Sequence, residues 1–335
     1  MIRLNNPAIS SVFSLYFTVL LFFIFCILSG CLGQQGKKLP DNRLKIAVSV
    51  EPHAFLLERI GGERLRIEVL VPTGKEPEHY QATPDKIAVL SQTKVLFRTG
   101  MPFENVLIPK LKAINSNLKI VDLRKGIALR PLELHDHQPE TELHEHDNHD
   151  SVTKHHNHNH HSATIDSSHH EFDPHIWFAP TILKTEVQTI LQTLLEIDPE
   201  GAVQYRNNAE QFLEEIEVLR IDLAKRLAPL KGKTVFVFHP SYGYFCDELG
   251  LRQRAIEFEG KSPKPKQLTA LITEIRNGKN IPVIFVQPEF NQAPSQAITE
   301  TTGAKIVIHS SLERNVLQSM KRFAEEIILN ENSIE

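Results

Sequence analysis

Seven short runs rich in β-branched and aliphatic residues recur along this chain of 335 residues, and they constrain its fold more than any other feature. They are L-K-I-A-V-S-V (44–50), I-E-V-L-V (67–71), K-V-L-F-R-T (94–99), L-K-I-V-D-L (118–123), K-T-V-F-V-F (233–238), I-P-V-I-F-V (281–286) and A-K-I-V-I (304–308). Helical stretches lie between them, among them 85–91, 103–114, 266–276 and 312–329. Apolar strands that alternate with helices imply an α/β fold in which mostly parallel sheets are covered by helices on both faces. Residues 201–228 read as one long helix with Phe212, Leu213, Ile216, Leu219 and Leu223 on a single face and charges opposite. This helix separates the two groups of strands, so it is expected to bridge two α/β lobes. The expected division is an N-terminal lobe over 44–200, a linking helix over 201–230 and a C-terminal lobe over 231–335. A length of 335 residues accommodates two domains of roughly 100–200 residues each.

The N-terminus reads as an address. Residues 12–28 form an uncharged apolar run, and Arg3 is the only charged side chain before it. L-S-G-C at 28–31 resembles a bacterial lipobox, in which small residues admit the peptidase to the bond before an acylated cysteine. Residues 1–30 are therefore expected to be a lipoprotein signal peptide, and 31–43 a linker that starts at lipidated Cys31; an uncleaved anchor is the alternative. Acyl chains at Cys31 would hold the mature protein on a membrane surface, in the periplasm or at the cell surface. Cys26 would leave with the signal and Cys246 would remain alone, so no internal disulfide is expected.

A net charge of −4 and a pI near 6.5 argue against a nucleic-acid partner. Histidine stands out, with 17 in all, twelve of them between His135 and His170. The surrounding segment, 131–171, holds nine acids, one lysine and no glycine. So polar a stretch buries too little surface to offset its ordering entropy, and it reads as a disordered insert. His144, His146, His149, His155, His156, His158, His160 and His161 within it are candidate weak auxiliary metal sites, the plainer reading being a solvated spacer.

Outside the insert, position narrows the candidates. Zinc takes neutral imidazole nitrogen and carboxylate oxygen, and open parallel sheets bind ligands beyond the carboxyl ends of their strands. His239 directly follows K-T-V-F-V-F, His309 follows A-K-I-V-I, and Glu289 comes after V-I-F-V-Q-P. His175 sits in F-D-P-H-I-W-F-A-P just after the insert. His53, in E-P-H-A-F, reads as a surface or packing residue, Trp177 as lobe packing and Cys246 as a small buried hydrophobe.

Five motifs in order make a resemblance specific: G-K-E-P-E-H-Y-Q-A-T-P (74–84), D-P-H-I-W (173–177), V-F-H-P-S-Y-G-Y-F (237–245), E-G-K-S-P (259–263) and F-V-Q-P-E-F (285–290). From about residue 44 to 330 the chain resembles the zinc/manganese solute-binding proteins of bacterial ABC transporters. That resemblance implies two α/β lobes joined by a rigid long helix, with a metal held between them by two ligands from each lobe. It carries His175 and His239 over as ligands without adjustment. Two positions depart from the family pattern. The first-lobe ligand usually stands two residues before a tyrosine, where this chain has Glu78 and shifts His79 by one; His79 is favoured because imidazole is the better zinc donor, with Glu78 its alternative. The last ligand is usually an aspartate after the final strand, where His309 stands here. Glu289 resembles a family position near the metal, although a structural carboxylate is the simpler reading.

The resemblance implies a binding protein rather than an enzyme: extracytoplasmic capture of Zn2+ and delivery to an ABC permease and its ATPase, by a monomer. Its zinc-type members commonly carry a His- and acid-rich insert, which favours Zn2+ over Mn2+. The alternatives are a manganese or iron binder of the same family, a zinc hydrolase with Glu289 as base, and a surface metal buffer or adhesin.

Overall fold

The structure is a computed structural model that describes residues 42–132, 172–257, 265–277, 283–290 and 293–331. The expected signal peptide, Cys31 and all twelve histidines of the insert lie outside the described residues.

Two four-stranded sheets form, and every pairing is parallel. The first contains β1 (Leu44–Val48), β2 (Leu65–Val69), β3 (Val95–Arg98) and β4 (Lys119–Asp122) in the order β2-β1-β3-β4. The second contains β5 (Thr234–Val237), β6 (Arg252–Ala255), β7 (Val283–Val286) and β8 (Lys305–Ile308) in the order β6-β5-β7-β8. In each sheet the chain steps outward from its first strand, then crosses back to the other side. A crevice therefore opens where the order reverses, beyond the carboxyl ends of β1 and β3 and of β5 and β7.

The helices are α1 (Glu51–Gly61), α2 (Pro84–Leu90), α3 (Pro102–Ile114), α4 (Pro180–Ile197), α5 (Ala202–Leu227), α6 (Gly243–Leu249), α7 (Pro265–Asn277), α8 (Ala293–Thr302) and α9 (Val316–Glu331). Proline stands in the first two positions of α1 to α4, where its fixed φ suits the first turn and its missing N–H leaves no bond unmade. At 26 residues α5 is about 40 Å long. Tyr205, Ala209, Phe212, Ile216, Leu219, Leu223 and Leu227 bury one face of it, at spacings of three and four. That face packs on α1 and α4 of the first lobe and on α6 and α9 of the second. The expected α/β fold of two parallel-sheet lobes joined by a long helix is thus the one observed. A continuous apolar core runs from Ile46 and Leu56 through Phe212 to Phe245 and Phe323.

One strand went unforeseen. β6 reads R-Q-R-A, with none of the apolar weight of the other seven. It is an edge strand, and its place comes from its register with β5, where Thr234 faces Arg252 and Val237 faces Ala255. Among the described residues no helix is long and apolar enough to cross a membrane.

Candidate metal centre

His175 lies in the loop before α4, and the loop is fastened at its start. Phe172 forms an isolated antiparallel bridge with Pro131, and the Asp173 N–H donates to the Arg130 carbonyl at 3.0 Å. The buried Asp173 carboxylate then holds its neighbour twice. Its Oδ1 accepts the His175 backbone N–H at 2.9 Å and lies 2.7 Å from Nδ1 of the ring. Burial alone would raise the Asp173 carboxyl, but His175 and the Arg130 guanidinium outweigh it and hold the group below its ordinary range.

His239 sits two residues beyond β5, at the reversal point of the second sheet. Gln287, the residue after β7, clamps its backbone: the side-chain oxygen accepts the His239 N–H at 3.1 Å, and the side-chain nitrogen donates to its carbonyl at 2.8 Å. The ring's Nδ1 meets the carboxylate of Glu257, and Phe290 stacks on the ring with centroids 4.6 Å apart. Burial would lower this imidazole, but Glu257 and Glu78 prevail and raise it above its ordinary range.

With each Nδ1 turned to a buried carboxylate, both Nε2 atoms face inward as acceptors. They lie 3.1 Å apart, and the Glu78 Oε1 lies 3.4 Å from that of His239. Zinc bonds of about 2.0–2.2 Å in a tetrahedron place neighbouring ligand atoms about 3.3 Å from one another. Three acceptors gathered at that spacing repel unless something positive lies between them: a proton or, better, a divalent ion. The two lobes contribute jointly, Glu78 and His175 from the first and His239 from the second.

The other expected ligands are placed elsewhere. The structure brings Glu78 to the imidazoles where His79 was favoured. The Tyr80 N–H donates to the Pro77 carbonyl at 3.2 Å, which makes Glu78 and His79 the central residues of a turn: a Glu78 carboxylate oxygen reaches His239, while the His79 ring stays at the surface. Tyr80 packs edge-on against Phe103 and holds that turn in place. The His79 side chain is 68% exposed, and its Nδ1 lies 2.7 Å from Glu76. His309 also departs from expectation. It is buried, with Nε2 3.0 Å from the Ser319 carbonyl and Nδ1 3.1 Å from the Tyr242 hydroxyl. Phe178, Phe285 and Phe323 surround its ring, and burial pushes its pKa down to about 4. Glu289 stands outside the imidazole cluster as well: it accepts the Ser310 hydroxyl at 2.6 Å and lines an interlobe cavity of about 230 Å³ with Glu51, Thr73 and Glu313.

The packing residues behave as read. Buried His53 lies 3.1 Å from buried Glu186, and Cys246 is wholly buried. Trp177 sets its edge against His175 and donates its indole N–H across the cleft to the Ser311 carbonyl at 2.8 Å. Sequence reasoning missed Asp173, Glu257 and Gln287. Asp173 had a signal, since it stands two residues before His175 in D-P-H. Glu257 had none, because it follows the unforeseen β6.

Comparison with known proteins agrees with this fold. Residues 46–328 match the family described as zinc-uptake complex component A, periplasmic. The high-affinity zinc uptake system protein ZnuA of Brucella abortus is 30% identical over 291 residues, covering 82% of this chain and 85% of the relative. The manganese-binding lipoprotein MntA of Halalkalibacterium halodurans is 24% identical over 298 residues, covering 87% and 86%. A crystal structure of a zinc-bound ZnuA deletion mutant superposes with a TM-score of 0.69 and 33% identity, over 85% of this chain and 97% of that one. Proteins of this family bind and transport their ion without transforming a substrate, so the hydrolase alternative falls. Donor atoms from both lobes that converge within reach of one ion suit that role, and the chain belongs to the zinc-uptake component A family of periplasmic metal-binding proteins that serve ABC transporters.

Proposed function

We propose that this protein captures Zn2+ outside the cytoplasm and delivers it to an ABC permease powered by its ATPase. The observation that carries the proposal is the convergence of His175 Nε2, His239 Nε2 and Glu78 Oε1, with each imidazole backed by a buried carboxylate. Carboxylate-backed imidazoles are more basic donors and are fixed in the ligating tautomer. With one carboxylate and two imidazoles, the set keeps a net positive charge with Zn2+, which Asp173 and Glu257 offset from behind. A fourth position is left for water or for a ligand brought by loop motion. Nanomolar binding corresponds to about −12 kcal/mol, so release requires the permease to part the lobes and separate Glu78 and His175 from His239.

Cleavage of the signal and acylation of Cys31 belong to the same proposal, as does action as a monomer tethered to a membrane. The similarity to a manganese-binding lipoprotein supports a second reading, Mn2+ as cargo, because Glu78 offers hard oxygen. Imidazole-rich ligation favours zinc. Competition of Zn2+ against Mn2+ in the full chain, at free ion levels fixed by a chelator, tests both. Zinc should hold one chelator-resistant equivalent that excess manganese does not displace. A protein that retains no such zinc refutes the proposal, and one that prefers manganese replaces the cargo.

A further inference from the structure

The turn that sends Glu78 inward also gathers a second set of metal-binding atoms on its outer side. Glu76, Glu78 and His79 each offer a ligand atom, and these atoms lie within 4.8 Å of one another. Glu76 Oε1 is already 2.7 Å from His79 Nδ1, a hydrogen bond whose proton an ion displaces when it takes the same two atoms. A shift of about half an ångström brings that pair to the spacing of about 3.3 Å that tetrahedral zinc requires. His79 and Glu76 line a surface hollow of about 490 Å³ with Tyr80, Lys75 and Lys86, so solvent ions reach these two side chains. The two lysines keep it weaker than the buried centre.

We infer that Glu76, Glu78 and His79 form an outer, weaker divalent-metal site at the mouth of the cleft, which shares Glu78 with the buried His175 and His239. The inference rests on the reading of the buried centre given above and adds a consequence to it. Glu78 belongs to both sets, and two divalent ions on one carboxylate repel each other. Occupation of the inner centre therefore weakens the outer one, and an ion held outside already bears the ligand that carries it in.

Site-resolved protection of His79 tests this in the full chain. Exposed His79 reacts with diethyl pyrocarbonate, and peptide mass spectrometry reads its rate separately from every other histidine. Free Zn2+ is fixed by a chelator buffer, so that the histidine tract does not alter it. At free zinc about ten times the site's dissociation constant, mass action slows His79 modification about tenfold. Glu76→Gln should abolish that protection. In a His175→Ala/His239→Ala variant, Glu78 is released to the outer set, and protection should begin at lower free zinc than in the parent. Three results would overturn the inference: His79 reactivity indifferent to zinc, protection that survives Glu76→Gln, or, where the parent's inner centre holds its zinc, the same midpoint with and without the inner imidazoles. The inner centre is judged separately, by the chelator-resistant equivalent of zinc. Its absence would sink that reading and the expected midpoint shift with it, while protection of His79 by zinc and its loss in Glu76→Gln would still decide the outer site.

Discussion

His239 follows β5 and His309 follows β8, each within two residues of the end of a parallel strand in the same sheet, and each is 4% exposed. Their surroundings are opposite. His239 stands at the reversal point between β5 and β7, faces two carboxylates and is raised above the ordinary imidazole range. His309 stands at the edge strand among aromatic rings, with Ser319 and Tyr242 as its polar neighbours, and burial lowers it to about 4. A strand end supplies a place where an imidazole can ligate. The negative charge packed behind the ring decides whether it keeps a lone pair facing outward for a cation or is absorbed into the core.

The largest expected effect separates the two histidines directly. His239→Ala should lower chelator-resistant zinc affinity by about a thousandfold, or about 4 kcal/mol. His309→Leu should leave that affinity within about twofold. Competition titration of the full chain reads both, and a comparable loss in the two variants would erase the distinction.

Stability against pH reverses the roles. His309 is lowered from 6.5 to about 4, so the unfolded chain binds a proton that the folded one refuses as pH falls through that window. Its contribution is complete above pH 6.5 and is lost toward about pH 4, worth about 3 kcal/mol. Denaturant unfolding of metal-free protein should show the difference between wild type and His309→Leu shrinking by that amount over the window. A constant difference would mean that His309 is not held neutral.

Removing the charge behind His239 tests the other half. Glu257→Gln should weaken zinc binding about 10–100-fold, as loss of a ligand's outer partner does. It should also change the pH profile. His239 must lose its proton to ligate, and its pKa is raised, so affinity falls as pH drops from a point above 6.5. Without Glu257 that fall should begin at lower pH. An unmoved profile would show that Glu257 does not set the basicity of His239.

The smallest effect expected is at Phe290, whose ring stacks on His239. Phe290→Ala should weaken zinc binding by about 1 kcal/mol, roughly fivefold, through a less firmly held imidazole. Calorimetry beside Glu257→Gln would rank the two supports.

Much of the architecture was legible because strand and helix periodicity is local. Seven apolar runs and one amphipathic stretch of the right length foretold parallel sheets and a bridging helix. β6 escaped because R-Q-R-A carries no such signal, and Glu257 escaped with it. The choice between Glu78 and His79 escaped for another reason: they are adjacent, and only the turn closed at Pro77 and Tyr80 determines which one faces inward.

The sequence by itself determined that two α/β lobes would form, where their crevices would open, and that imidazoles would stand near those openings. Those are matters of spacing along the chain. Tertiary structure alone decided which imidazoles meet, because His175 and His239 are 64 residues apart and the carboxylate behind His239 is 18 residues further on. Whether a buried ring faces carboxylate or phenylalanine depends on packing between segments distant in the chain, and local periodicity carries no record of that.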